Sequence, residues 1–320
     1  MCFLVNCNLL PESLSRTPIL FGLNIMLRTP ATVATLILFV VALAGCSPLG
    51  ILNGLTPTAT YIVATGLEYG ADPREKLDVY QPRSSADAQK PLDGYPVVVF
   101  FYGGTWVSGE RNNYKFIGEA LAAQGIVTVV VDYRLYPQVR YPDFLTDCAR
   151  AVAWVQREAA QYGGNARRLY VMGHSSGAYN AAMLALDPRW LAAAGLSPSA
   201  LAGWIGLAGP YDFLPMTNVE AQPVFYHPDY PAGSQPMDYV TKAAPVTFLG
   251  VPENDDLVDP GRNTKQLAAR LRAAGVPVTL RVYSAVNHYT LIAAFARPLR
   301  GLEPVLSDVA GFVHGNKVAQ

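Results

Sequence analysis

The 320-residue chain has no charge surplus: 24 Lys and Arg are balanced by 24 Asp and Glu. Charged residues make up only 15% of the sequence. Nucleic-acid binding through phosphate contacts needs a basic excess or a basic patch, and neither is present. Histidine is scarce, four in all, so imidazole chemistry falls to very few candidates. There is no internal repeat, no low-complexity tract and no convincing domain linker. What the chain does have is apolar mass, 51% of its residues, which excludes disorder. Its length allows one large domain or two ordinary ones with a substantial core.

The mean hydropathy of +0.19 is high for a soluble enzyme, and much of the excess sits near the N-terminus. Residues 26–45 include 14 hydrophobic residues out of 20, with Arg28 as the sole charge. The run from Leu36 to Ala44 is unbroken, yet short of the roughly 20 residues that a spanning helix requires. A basic start, a short apolar run and small residues at its end describe a secretory signal. Leu43-Ala44-Gly45-Cys46 then resembles the lipobox of bacterial lipoproteins, which implies cleavage before Cys46, acylation of that residue and a hold on the lipid bilayer. Ser47 resembles the residue that marks the outer-membrane type, so the expected location is the cell envelope; a signal anchor or plain secretion is the alternative. Residues 1–25 fall outside the pattern, and Met26 is the expected start of the signal. Residues 46–59 read as a tether to a domain over 60–320. Losing Glu12, Arg16 and Arg28 with the signal takes the balance from 24 and 24 to 22 basic and 23 acidic residues. Of the four Cys, two precede Met26 and Cys46 is the acylation site, so Cys148 is left alone. No internal disulfide is then possible, and Cys148, in a helical pattern, reads as a small core residue.

From residue 60 onward, short β-branched or apolar runs alternate with longer helical patterns. Strands are expected at 60–65, 77–80, 97–102, 126–131, 169–172, 204–207, 246–249 and 278–283. Helices are expected at 114–124, 143–161, 176–186, 262–274 and 302–313. Several strands are continuously apolar, as strands covered on both faces are. The alternation predicts an α/β fold, a mostly parallel sheet with helices on both sides. Residues 211–245 break it with six prolines and six Tyr or Phe, a long loop of the kind that often caps a binding site.

Gly173-His174-Ser175-Ser176-Gly177 falls between an expected strand and an expected helix. In that context the glycines permit the strained turn that lifts a nucleophilic Ser175 above the sheet edge; a plain Ser/Gly helix cap is the alternative. A serine needs a general base, and such a nucleophile is followed in the chain by an acid and then a histidine. His174 adjoins the serine and reads as a packing or hydrogen-bonding residue. His227 lies in the proline-rich loop, and His314 ends the last helix. His288, just past the expected 278–283 strand, is the remaining candidate. The acid belongs to the loop Glu253-Asn254-Asp255-Asp256-Leu257-Val258-Asp259, which carries four carboxylates. No EF-hand ligand pattern is present, and no metal or cofactor is called for. Finally, Gly103-Gly104 ends the third core strand, where N–H groups unshielded by a Cβ can approach an oxyanion, joined by that of Ser176.

Together these residues resemble the α/β-hydrolase superfamily, specifically serine carboxylesterases with an H-G-G-x-W oxyanion motif. The likeness extends to the feruloyl-esterase-like, arylformamidase-like and prenylcysteine methylesterase-like group. Lys76-Leu77-Asp78-Val79-Tyr80, Asp132-Tyr133-Arg134, Tyr162-Gly163-Gly164-Asn165, Gly209-Pro210-Tyr211-Asp212 and Asn287-His288-Tyr289-Thr290-Leu291 support it. Residues 60–315 are covered. The resemblance implies a triad acid three residues before a Val, a spacing Asp255 meets with Val258; Asp256 is the runner-up. One departure stands out: Tyr102 occupies the place of the motif's His. The expected activity is hydrolysis of small or medium esters through an acyl-enzyme at Ser175, with Trp106 and Tyr211 lining the pocket. Amide, arylformamide or peptide hydrolysis by the same residues, and a catalytically silent binding protein on this fold, are the alternatives.

Overall fold

Val97, Val98, Val99, Phe100 and Phe101 are five consecutive residues without solvent contact. Only a strand covered on both faces can bury side chains that point alternately to opposite sides. The computed structural model describes residues 48–83 and 91–315, and in it this segment is the centre of an eight-stranded sheet. The strands are β1 Tyr61–Glu68, β2 Lys76–Pro82, β3 Tyr95–Phe101, β4 Val127–Val131, β5 Gly164–His174, β6 Gly203–Leu207, β7 Thr247–Pro252 and β8 Val278–Tyr283. Their order across the sheet is β1-β2-β4-β3-β5-β6-β7-β8. β2 runs antiparallel to both its neighbours, and every pairing from β4 through β8 is parallel. All eight expected strands are present; β5 is the longest and begins at Gly164, five residues before its expected start.

The helices are α1 Pro48–Gly54, α2 Lys115–Ala122, α3 Asp143–Glu158, α4 Ser176–Leu186, α5 Pro188–Ala193, α6 Gln266–Ala273, α7 His288–Ala293 and α8 Val305–His314. The 262–274 expectation splits, because residues 261–265 form a wider turn before α6. Two short helices escaped the periodicity but carry local signals. At α5, Asp187 accepts the Arg189 N–H ahead of Pro188, an N-cap with proline in the first turn. At α7, Asn287 and Thr290 form a reciprocal capping box. Residues 1–47, and with them the expected signal and Cys46, lie outside the described residues. The tether expectation needs correction from Pro48 onward. There α1 docks on the domain through Leu49 and Leu52, and the Asn53 amide donates to the Asn112 carbonyl at 2.7 Å. Two leucines three apart make one apolar helix face, which favours docking over a free tether.

Beneath the C-terminal ends of β3 and β4, where antiparallel β2 begins, lies a set of largely buried charges, all paired. Arg111 bridges Asp78, at 2.8 Å, and Asp132. Asp132 also accepts the Tyr102 hydroxyl at 2.8 Å. Arg74 donates to that hydroxyl at 2.9 Å, to the Gly109 carbonyl at 2.8 Å and to the Tyr133 carbonyl at 3.0 Å. Deeper in, Arg134 grips Asp147 with two nitrogens, at 2.8 and 2.6 Å. Buried charges persist only when paired and hydrogen-bonded in this way.

Candidate active site

At the end of β5 the chain turns abruptly into α4, and the two glycines of the turn are sterically required. A Cβ on Gly173 would stand 2.0 Å from the Gly177 carbonyl, and one on Gly177 would stand 2.0 Å from the Phe101 carbonyl. Between them Ser175 takes φ 55° and ψ −125°, a conformation costing a non-glycine residue about 1–3 kcal/mol. The Ser175 N–H donates to the Leu207 carbonyl at 2.9 Å, so β6 helps to hold the turn. Its hydroxyl points out of the sheet edge toward the first residue of α7.

That residue is His288. Asn287 fixes its backbone by accepting the N–H groups of Tyr289 and Thr290, at 3.0 and 2.9 Å. The ring spans Ser175 and Asp255: Nε2 lies 2.9 Å from Ser175 Oγ, and Nδ1 lies 2.8 Å from Asp255 Oδ2. A carboxylate can only accept, so Nδ1 carries the proton and Nε2 is left to accept from the serine. Asp255 is 9% exposed, and its other oxygen accepts the N–H groups of Leu257 and Val258 at 2.9 and 3.0 Å. Burial pushes its pKa up. The hydrogen bond and charge of His288, with the two N–H groups, outweigh that and leave it below the usual carboxylate value. The N–H from Val258 gives the three-residue spacing a physical meaning: it closes a side-chain turn that aims the carboxylate. Asp256 is exposed, and the carboxylate bonded to the ring is that of Asp255.

His174 supports this arrangement from behind. It is buried, its ring packs 4.9 Å from that of His288, and its Nε2 donates to the His288 carbonyl at 2.9 Å. Burial, followed by the neighbouring charge of His288, pushes its pKa down to about 3. The folded protein therefore leaves His174 neutral, whereas the unfolded chain protonates it near the ordinary value of 6.5. Between those two values the unfolded state binds more protons, so stability rises with pH and is lost as pH falls. We expect the wild-type Tm to drop between pH 7 and pH 4 by roughly 5 °C more than that of His174→Gln. Thermal melts across this range check it, and equal drops would contradict the assignment.

The glycine loop lies across the serine. A Cβ on Gly103 would stand 2.9 Å from Ser175 Cβ, and one on Gly104 would stand 2.2 Å from the Ser108 carbonyl. The N–H groups of Gly103, Gly104 and Ser176 have no backbone acceptor among the described residues. Tyr102 turns its side chain away from the serine. It is stacked between Tyr114 and Tyr133, with centroids at 5.3 and 4.9 Å, and its hydroxyl ends on Asp132 and Arg74. Because Arg74 also holds the Gly109 carbonyl, both ends of the 102–109 loop are fixed to the same buried charges. The departure at position 102 thus has its own anchorage.

A cavity of about 250 Å³ opens onto Ser175, Ser176 and His288, at the small end of ligand sites. Thr105, Trp106, Pro210, Phe213, Met216 and Leu257 are among its walls. Glu220 is the one acidic residue among them, and no Lys or Arg lines it. The aromatic loop contributes as expected through Phe213, Met216 and Ala221, but Tyr211 does not. Tyr211 is fully buried and turned inward, over Gly206 and Gly209 and against the Trp204 ring at 6.1 Å. The two glycines leave space only on the sheet side, so the ring fills the core while Pro210 faces the cavity. His227 is exposed on the loop beside Tyr230, and His314 sits 2.8 Å from the Gln124 carbonyl; neither approaches Ser175. Sequence reading passed over Asn180, whose Oδ1 accepts the Trp106 Nε1–H at 3.0 Å. A lone amide in an apolar helical run was the signal.

A mostly parallel sheet of this order, with a serine on the tight turn after β5 and a histidine after β8, is an α/β-hydrolase. Residues 77–271 match the BD-FAE family, and the chain belongs to it. It is 28% identical over 268 residues to a probable isoprenylcysteine alpha-carbonyl methylesterase of Oryza sativa, covering 78% of this chain and 63% of that protein. It is 29% identical over 232 residues to esterase LipC of Mycobacterium tuberculosis, covering 67% of this chain and 56% of that protein. The chain thus spans about three fifths of the length of these relatives. The butyrate-bound esterase Est2 of Thermogutta terrifontis superimposes with a TM-score of 0.64 at 21% identity, covering 80% of this chain and 94% of that one.

Proposed function

We propose that the protein is a serine carboxylic-ester hydrolase working through an acyl-enzyme on small esters. Support comes above all from the continuous hydrogen-bonded line Asp255–His288–Ser175, with steps of 2.8 and 2.9 Å. The similarity to proteins named as esterases points the same way. In this mechanism His288 Nε2 takes the Ser175 proton as Oγ attacks the ester carbonyl, and Asp255 stabilises the imidazolium that forms. The N–H groups of Gly103, Gly104 and Ser176 receive the charge that develops on the carbonyl oxygen. His288 returns the proton to the departing alcohol, and the same base then activates water to release the acid. Amides need the same proton delivery, so the triad does not separate the two substrate classes; cavity size and charge do the further selecting. At about 250 Å³, with Glu220 as its one acidic wall residue and no Lys or Arg, the cavity favours short, uncharged acyl groups.

A panel of p-nitrophenyl esters and matching anilides tests this. The expected profile has kcat/KM highest for two- to four-carbon acyl chains, lower for long chains and for acyl groups with a free carboxylate, and lowest for anilides. A preference for anilides or for acyl chains of about twelve carbons or more would overturn it.

We also propose an envelope location through a lipid on Cys46, on the strength of the signal-like residues 26–46 alone. Expressed at full length in a bacterium, the protein should partition into detergent and incorporate labelled palmitate, and Cys46→Ser should abolish both. Palmitate incorporation that survives Cys46→Ser would reject the site.

A further inference from the structure

Helix α4 is buried along its whole length, and its last seven residues are Ala, Met and Leu apart from one. That residue is Asn180, fully buried. Its Oδ1 accepts the Trp106 Nε1–H at 3.0 Å, while its other polar neighbour is the buried Cys148 thiol, a weak acceptor that leaves Nδ2 without a full hydrogen bond. An amide left half-satisfied in an apolar layer is a cost that packing does not require, since a leucine would fill the same space. The bond it makes crosses from the helix that follows Ser175 to the loop that carries Gly103 and Gly104.

The loop needs such a hold. Thr105 and Trp106 both have left-handed backbones, with φ of 58° and 59°, directly after Gly104 at 136°. Non-glycine residues keep that conformation only where the surroundings impose it. The Trp106 carbonyl accepts the Tyr136 N–H at 2.9 Å, and the Gly104 carbonyl accepts the N–H groups of Val107 and Ser108, each at 3.0 Å. The Trp106 ring lies among Phe144, Tyr179, Phe213 and Phe225, at centroid distances of 5.9, 5.1, 6.3 and 4.9 Å. These rings cage the indole but are apolar to its N–H; Asn180 alone reads that atom and so sets the ring's rotation.

We propose that Asn180 is a positioning residue for the oxyanion loop. By holding the Trp106 indole it keeps Thr105 and Trp106 left-handed and the Gly103 and Gly104 N–H groups aimed above Ser175. This rests on the serine-hydrolase reading of the site. Displacing such donors by an ångström is enough to slow the chemical step by up to ~100-fold.

The test compares wild type, Asn180→Leu, Trp106→Phe and the double variant on p-nitrophenyl acetate, with thermal melts and the rate of fluorophosphonate inactivation. Asn180→Leu should lower kcat by roughly 10- to 100-fold with KM within about twofold. Its inactivation rate should fall in parallel, and its Tm should be unchanged or higher. Trp106→Phe removes the same bond from the other side. Adding Asn180→Leu to it should therefore slow kcat by less than about threefold. If Asn180→Leu does not fold, folded Trp106→Phe reads the bond from the loop side: it should lose at least tenfold in kcat with KM within about twofold, and a smaller loss or one confined to KM would overturn the proposal. A folded Asn180→Leu with kcat within about twofold of wild type, a loss confined to KM, or single losses that multiply in the double variant would each overturn the proposal. Turnover that survives Ser175→Ala would instead remove the reading beneath it.

Discussion

Ser175→Ala should lower kcat on p-nitrophenyl acetate by about 10⁴- to 10⁶-fold while the protein stays folded. The size of the effect follows from what the residue supplies. Ser175 Oγ lies 2.9 Å from His288 Nε2, and an alanine leaves the base with no serine proton to take. What survives is the contribution of the N–H groups and of substrate binding, roughly 10³-fold over water. Stability should hardly change. Ser175 holds a left-handed backbone and its hydroxyl is spent on the triad, so an alanine at this site sacrifices little packing. Steady-state kinetics with a thermal melt on the same sample separates the two readouts. Activity within tenfold of wild type would show that another group carries the chemistry.

Asp255→Asn should cost about 10⁴-fold in kcat, and Asp256→Asn less than about threefold. The two residues are neighbours with the same charge, so any difference between them is geometric. Asp255 accepts three hydrogen bonds, from His288, Leu257 and Val258, at 2.8, 2.9 and 3.0 Å. An asparagine there can turn its NH₂ toward His288 Nδ1, which forces the proton onto Nε2 and removes the base. It also ends the stabilisation of the imidazolium. Asp256 is exposed, where a charge change acts through solvent and is screened. The measurement is kcat against pH for both variants. In Asp255→Asn the loss should ease at high pH, where hydroxide replaces the missing base. Equal losses in the two variants would contradict the assignment of the acid.

The strand pattern was readable because burial on both faces leaves uninterrupted apolar runs, as at Val97 to Phe101. Ser175 was readable because its glycines are dictated by backbone contacts of 2.0 Å, a constraint that one short motif expresses in full. His288 could be reached because there were so few histidines to choose from. Asp255 was harder. Four carboxylates share its loop, and what distinguishes it, two N–H groups closing a turn, is a property of the folded chain.

Tyr211 went wrong for a related reason. A tyrosine in an aromatic loop looks like a pocket wall, but Gly206 and Gly209 leave a space beneath it that a single-residue reading cannot see. Asn180 was missed because its meaning lies in a partner 74 residues away. Helix α1 was missed because seven residues are too few to show periodicity, and its two leucines act only against the folded domain. In each case the missing information was a contact between distant segments rather than a local preference.

The central claim is that Ser175 is a nucleophile activated by His288. The most direct measurement is intact-protein and peptide mass spectrometry after brief exposure to a fluorophosphonate, which reports covalent attack without reference to any substrate. One adduct per chain, located on Ser175 and formed at least about a hundredfold more slowly in His288→Ala, is the predicted result. No adduct on the folded protein, an adduct elsewhere, or a rate indifferent to His288 would contradict it.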